Sequence, residues 1–324
     1  MRTCGHGREP RRVCEPCLDA RAPFLACSLA CLTAHHAEAH PDDARGTAAR
    51  VADYQARVNR NVAENREWYA AHRARVTALV GAASRGGDLC VLGAGNGSDL
   101  DLPALAERFA EIHLVDLDGE ALERCRAGAP AALRERLVLH GGVDLSGFTA
   151  RLDDWGEVFP SEAELGQAAQ PAIHGILRRL GRTFDVVAST CALSQLAVPY
   201  HRAWLLPASA WASLHAAITA VHLATIAGAT TPGGTGLLIF DVLSSQKAPE
   251  LRALADAGPA PLAAFLDEHA RRGGALEPSP QGLLARLATL GRLVAAPRLS
   301  APWLWNIGAE TQLVYGLAFT RAPA

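Results

Sequence analysis

Apolar and polar positions follow three regimes along the chain. Residues 1–42 carry few large apolar side chains. Over 46–84, Val51, Tyr54, Val58, Val62, Tyr69, Val76 and Val80 recur at three-, four- or seven-residue steps, which predicts one or two helices with a single apolar stripe. From about residue 88, short apolar runs alternate with stretches rich in Ala, Leu and Arg; the runs are Asp88–Leu92, Ile112–Asp116, Leu137–Val143, Phe184–Thr190 and Gly236–Leu243. Near-continuous apolar strands separated by helices predict a parallel sheet covered on both faces. The last two runs, Arg292–Trp305 and Thr311–Phe319, are joined by a segment too short for a crossover helix, so they predict an antiparallel hairpin. The expected organisation is a small module over 1–42, a helical segment over 46–86 and an α/β domain over 88–324.

No stretch approaches the roughly 20 continuous apolar residues of a membrane-spanning helix. The polar start, Met1–Arg12, has no apolar run of the kind a secretory signal needs. A cytoplasmic protein without a membrane partner is the expectation. The 324 residues are 49% hydrophobic with a formal net charge of −2, which excludes a disordered chain and gives no global attraction for nucleic acid. The Arg-rich stretch 44–75 is balanced in part by Asp53, Glu64 and Glu67.

Composition changes the picture at one place. Of 8 cysteines, Cys4, Cys14, Cys17, Cys27 and Cys31 fall in the first 31 residues, and His6, His35, His36 and His40 fall in the first 40. In a chain that is not exported, clustered Cys and His point to metal ligands rather than disulfides. Cys14 and Cys17 have the two-residue spacing at which one tight turn aims two thiolates at one ion, and His36 and His40 are one helical turn apart. Fewer than about 40 residues with so little apolar content need metal to fold. The arrangement resembles the small cross-brace zinc fingers of the HIT and MYND types. That resemblance implies one zinc held by Cys4, His6, Cys27 and Cys31, and a second by Cys14, Cys17, His40 and either His35 or His36. The chain departs from the pattern at the first pair, where one residue separates Cys4 from His6 and histidine replaces cysteine. Such closed sites are structural, so the module is expected to scaffold or to recruit a protein partner.

A second constellation follows the run Asp88–Leu92. Gly93, Gly95 and Gly97 stand at a strand-to-helix turn, with Asn96 between the last two, and Asp116 closes the next strand 19 residues beyond Gly97, followed by Leu117. Glycines there let backbone approach a ligand, and an acid at the second strand end suits ribose hydroxyls. The dinucleotide fingerprint requires glycine or alanine where this chain has Ser98. With the terminal hairpin, the pattern over about 88–321 instead resembles class I S-adenosylmethionine-dependent methyltransferases. The resemblance implies a Rossmann-like seven-stranded sheet. It implies Gly93, Gly95 and Gly97 beside the methionine portion, Asp116 on the ribose, Asp144 near the adenine amino group, and Ser189 and Thr190 near the methyl group. Many members carry an acid two residues before the first glycine; here that residue is Val91, and Asp99 or Asp101 is the candidate substitute.

The acceptor region is expected just after Ser189 and Thr190. It holds no Asn-Pro-Pro-Tyr signature of amide and base N-methylation. His201 is the first candidate base because its ordinary pKa lies near neutrality, with Tyr200 and Asp241 behind it, and Cys191 reads as a buried small residue. Trp68, Tyr69, Trp303 and Trp305 read as core aromatics that could also face a sulfonium. The expected function is methyl transfer to a small molecule, peptide or protein. A non-catalytic zinc-finger adaptor and a nicotinamide-dependent oxidoreductase stay open as alternatives.

Overall fold

The structure is a computed structural model that describes residues 1–40, 47–151, 155, 159–198, 200, 207–254 and 258–323. The N-terminal module is a three-stranded sheet, β1 (Arg2–Thr3), β2 (Arg12–Val13) and β3 (Phe24–Ala26) in order β1-β3-β2, with helices α1 (Glu15–Asp19) and α2 (Leu29–Ala39). Both helices start on side-chain caps. Cys14 Sγ accepts the Cys17 N–H at 3.4 Å, and Ser28 Oγ accepts the Cys31 N–H at 3.1 Å. Among the described residues the apolar centre is Cys14, Cys17, Ala26 and Leu32, flanked by Phe24 and Cys31.

The periodic stripe forms α3 (Thr47–Glu64) and α4 (Ala70–Ala82), joined by a 3₁₀ turn over Arg66–Tyr69. The sheet that follows contains β4 (Leu89–Leu92), β5 (Ile112–Val115), β6 (Leu137–His140), β7 (Phe184–Thr190), β8 (Thr230–Ser244), β9 (Val294–Leu299), β10 (Trp303–Ile307) and β11 (Glu310–Arg321). Its order is β10-β11-β8-β7-β4-β5-β6, with β9 also paired to β11. Strands β6, β5, β4, β7 and β8 are parallel, and β11 is antiparallel to β8. This is the Rossmann-like sheet with a terminal antiparallel strand that the pattern predicts.

The run Arg292–Trp305 is not one strand. It breaks at Ser300–Pro302 into β9 and β10, which both lie along β11 and share one place in the sheet. Pro302 has no N–H to donate, and Ser300 ties the break to β11 by donating its N–H to Gly316 O at 2.7 Å and accepting the Gly316 N–H at 2.9 Å on its hydroxyl. The hairpin turn shrinks to Gly308–Ala309, because β10 runs on to Ile307 and β11 starts at Glu310.

Side chains alternate across the sheet as strand geometry demands. Cys90 and Leu92 join the core on one face, while Leu89, Val91, Ile112 and Leu114 join the core on the other. The first face is covered by α8 (Glu162–Leu180) and the helix Ala208–Ala229; the second by α4, α5 (Leu102–Ala106), α6 (Gly119–Ala127) and α7 (Ala131–Arg134). One expectation is corrected here. Ala208–Ala229 is, by length and composition, long and apolar enough to cross a membrane, with an 18-residue window of mean hydropathy 1.4. The small polar residues and histidines spread through it hid this from a search for unbroken apolar runs. It lies against the sheet with Leu214, Ile218, Val221, Leu223 and Ile226 buried.

Packing in the β8–β11 ladder is tight enough to test. Gly236 faces Phe319, and a Cβ placed on Gly236 would lie 2.2 Å from the buried Phe319 ring. Gly236→Ala is expected to cost about 1–3 kcal/mol in urea unfolding as the ring is forced aside. Adding Phe319→Leu should recover part of that loss.

Candidate functional site

The glycine turn after β4 is fixed by contact as well as by conformation. Gly93 and Gly97 hold φ +74° and +66°, and an added Cβ would sit 2.5 Å from Ala192 Cβ in the first case and 2.6 Å from Cys125 Sγ in the second. The Gly93 and Ala94 N–H groups both donate to Val115 O, at 2.9 and 3.1 Å. The Gly95 N–H then donates to Asp116 Oδ2 at 2.9 Å, while Asp116 Oδ1 accepts the Asp118 N–H at 2.9 Å. Asp116 is buried, and burial pushes its carboxyl up to about 6, with these N–H groups acting the other way.

Helix α3 closes the cavity over this turn. Val51, Gln55, Val58, Asn59 and Val62 line a space of about 230 Å³ together with Gly93, Gly95, Asn96, Asp99, Asp116, Leu117, Asp144 and Thr190. Asn59 locks the helix down: its Nδ2 donates to Asp118 Oδ2 at 3.0 Å, and its carbonyl accepts from the Asn96 side chain. Sequence reading missed Asn59 and Gln55. The signal was present, since 51, 55, 58, 59 and 62 share one helical face and a polar residue in such a stripe needs a partner.

Other named residues sit elsewhere. Gly97 does not line the cavity; it lets α6 approach through Cys125. Ser189 alternates away from Thr190 and lies against His222 Nε2 at 2.8 Å beneath the sheet. Tyr200 is fully buried, with its hydroxyl 2.8 Å from Ser146 Oγ. Ser146 donates its hydroxyl and its N–H to Asp144 Oδ1, at 2.6 and 2.9 Å, and the Thr149 N–H donates to Asp144 Oδ2 at 2.8 Å. Tyr200 therefore braces the Asp144 loop from the core, and burial raises its hydroxyl pKa far out of reach of proton transfer. His201 lies outside the described residues. Asp101 caps α5 by accepting the Ala104 N–H at 3.1 Å, so of the two candidate acids it is Asp99 that faces the cavity.

The far end is aromatic and acidic. Tyr69 and Trp305 line it, with ring centroids 4.9 Å apart, and so do Cys191 and Asp241. His72 stacks on Trp305 at 4.1 Å and accepts the Trp303 Nε1–H on Nδ1 at 3.2 Å, which leaves the proton on Nε2. That Nε2 stands 3.6 Å from Asp99 Oδ1 and 3.8 Å from Cys191 Sγ. Burial pushes His72 down to about 3, so the ring is neutral, and raises the Cys191 thiol well above its ordinary value. Trp303 packs on His72 outside the cavity lining, and Trp68, 38% exposed, covers Gly308.

In the N-terminal module, Cys4, His6, Cys27 and Cys31 form one set and Cys14, Cys17, His35 and His40 a second; within each set the ligand atoms lie within 4.8 Å of one another. Separations include 3.1 Å for Cys31 Sγ–His6 Nδ1, 3.5 Å for Cys27 Sγ–Cys31 Sγ, and 3.2 Å from Cys17 Sγ to each of His35 Nε2 and His40 Nε2. Tetrahedral zinc with bonds of about 2.0–2.3 Å gives ligand–ligand edges of about 3.3–3.8 Å, so each set suits one ion. His36 belongs to neither set. His40 is the C-cap, at φ −140°; its ring centroid lies 5.5 Å from that of His36 and 5.8 Å from that of His35, and it is His35 whose Nε2 reaches Cys17 Sγ.

No protein-family model and no curated protein matches the chain. Solved structures do. A complex between the Haloferax volcanii Trm112 methyltransferase activator and a methyltransferase aligns over 85% of this chain and 98% of the other, at 14% identity and a TM-score of 0.41. The glycopeptide N-methyltransferase MtfA, complexed with S-adenosylmethionine, aligns over 53% of this chain at 19% identity and a TM-score of 0.32. An O-methyltransferase family protein from Burkholderia thailandensis aligns over 78% of it at 16% identity and a TM-score of 0.36. The chain spans 55% of the length of each of the last two. The likeness is confined to fold.

Asp99 supplies a stability test. Burial pushes its carboxyl up to about 7, with the nearby Thr190 hydroxyl and Arg73 tempering the rise. The folded protein holds a proton there that the unfolded chain has already released above about pH 4, so this group's contribution to stability falls as pH rises from about 4 to 7. In ligand-free protein, Asp99→Asn should melt above the natural chain at pH 8, and the gap should close at pH 5.

Proposed function

We propose that this chain is an S-adenosylmethionine-dependent methyltransferase carrying a two-zinc accessory module. The observation that carries the reading is that one cavity, at the carboxyl ends of the parallel strands, gathers the glycine turn, Asp116 and Asp144. Open α/β sheets bind ligands in that crevice. Ser98 Oγ, Asp99 Oδ1 and Thr190 Oγ1 line the same cavity and are buried without hydrogen-bond partners, which suits a ligand with polar groups to supply. Carried over from the resemblance, the turn at Gly93 and Gly95 holds the methionine portion and Asp144 faces the adenine. Asp116 retains acceptor capacity for the ribose after taking the Gly95 and Asp118 N–H groups.

The bound cofactor supplies an electrophilic methyl group; what the chain supplies is orientation. Helix α3 excludes water from above, and Asp116 fixes the turn against β5 so that the cofactor and acceptor meet in one geometry. The acceptor is a small molecule, a peptide or a protein side chain, and the module over 1–42 recruits or scaffolds. Thiolate ligands stay reduced in the cytoplasm, which supports a cytoplasmic reading.

Calorimetry should show micromolar binding of S-adenosylmethionine, weakened at least tenfold by Asp116→Ala. Binding of NADH with none of S-adenosylmethionine would overturn the reading. Metal analysis of the purified chain should give two zinc ions, falling to one in Cys17→Ser with the cofactor affinity kept; a metal-free chain that stays folded would remove the zinc assignment.

A further inference from the structure

The charge balance of the cavity points to the chemistry of the acceptor. Four aspartates line it, Asp99, Asp116, Asp144 and Asp241, and among the described residues no arginine, lysine or histidine does. Asp116 and Asp144 are occupied with backbone N–H groups of their own loops. Asp99 and Asp241 are less engaged. Asp99 Oδ1 has no partner within hydrogen-bond distance, the nearest N–H being His72 Nε2 at 3.6 Å, and Asp241 accepts the Ser194 hydroxyl at 2.8 Å and its own backbone N–H. Beside them Thr190, 3% exposed, holds a buried hydroxyl oxygen without a partner. The paired rings of Tyr69 and Trp305 line the same cavity.

Two carboxyl groups in one cavity repel each other and any anion once ionised, and a cation relieves both. Rings within reach of the same space favour a cation further. Burial raises both carboxyl groups; Asp241 raises Asp99 a little further and Glu310 does the same to Asp241, while Arg73, outside the lining, draws Asp99 the other way. One cation is the ammonium of the cofactor, for which Asp99 is, of the two candidate acids, the one that faces the cavity. The second carboxylate stands farther along. Thr190 pairs with Ile239 in the β7–β8 ladder, so Asp241 lies two residues beyond the last paired residue of β7, over the turn at Cys191 and Ala192 and joined to it through Ser194.

Resting on the methyltransferase reading, we propose that the methyl acceptor is an amine and that Asp241 binds its nitrogen. The amine arrives as ammonium and gives a proton to the Asp241 carboxylate. Its freed lone pair forms the N–C bond to the methyl carbon as the C–S bond breaks, and that electron pair stays on sulfur. The product leaves as a methylated ammonium ion, the cofactor leaves as the neutral thioether, and the Asp241 proton passes to solvent. Acceptors that are carboxylates or phosphates, nucleic acid included, meet repulsion at this end.

The test uses the full chain with S-adenosylhomocysteine bound, titrated with 2-phenylethylamine and with its neutral and anionic counterparts, 2-phenylethanol and phenylacetate. The amine should bind at least tenfold more tightly than the alcohol, and phenylacetate should not bind. Asp241→Asn should remove that preference while keeping the S-adenosylmethionine affinity within twofold, which also reports that the variant is folded. No preference for the amine, no amine binding, or an undiminished preference in Asp241→Asn overturns the proposal. A labelled-methyl screen separates the two readings: cofactor binding with transfer to phenols or acids and none to amines sinks the amine acceptor alone, whereas no cofactor binding sinks the methyltransferase reading beneath it.

Discussion

The crevice hangs on one carboxylate. Asp116 takes an N–H from Gly95 on one oxygen and from Asp118 on the other, and so clamps together the turns that follow β4 and β5. Asp118 in turn caps α6 and accepts the Asn59 amide of α3. A single buried acid thereby sets the shape of the glycine turn, the start of α6 and the seat of the covering helix. Burial opposes its ionisation, and the two N–H groups are what offset that cost.

What the sequence disclosed was what periodicity can disclose. Parallel strands buried on both faces leave uninterrupted apolar runs, so β4 to β8 were legible, and the stripe over Val51–Val80 announced α3 and α4. Asp116 was legible because its distance from the glycine turn is set by the length of one βαβ unit. Side-chain direction at strand ends was not. Ser189 and Thr190 are neighbours of similar chemistry, and only the pleat sends one into the cavity and the other to His222. His72 was invisible for another reason: it is one histidine on a helix until β10 brings Trp303 and Trp305 against it, and that contact joins residues more than 200 positions apart. The choice of His35 over His36 turned on which neighbouring ring of α2 faces Cys17 on α1, a tertiary contact that adjacent histidines do not disclose.

The two parts of the chain solve folding differently. The α/β domain buries two broad apolar layers, one on each side of the sheet. The N-terminal module has four small or medium residues at its centre and two interleaved sets of four ligands, each set drawing from both ends of the segment. Interleaving means that neither half of the module can be assembled before the other, so its order is set by the ligands rather than by apolar packing.

The helix Ala208–Ala229 has a consequence for how the chain is made. A segment of 22 residues containing an 18-residue window of mean hydropathy 1.4 is hazardous while it stands uncovered at the ribosome. Its two earliest partners, α8 and β7, precede it in the chain, and β8 follows it at once. The order of synthesis therefore gives this helix two partners already made and a third that emerges next, which shortens the interval in which it could be taken for a membrane segment.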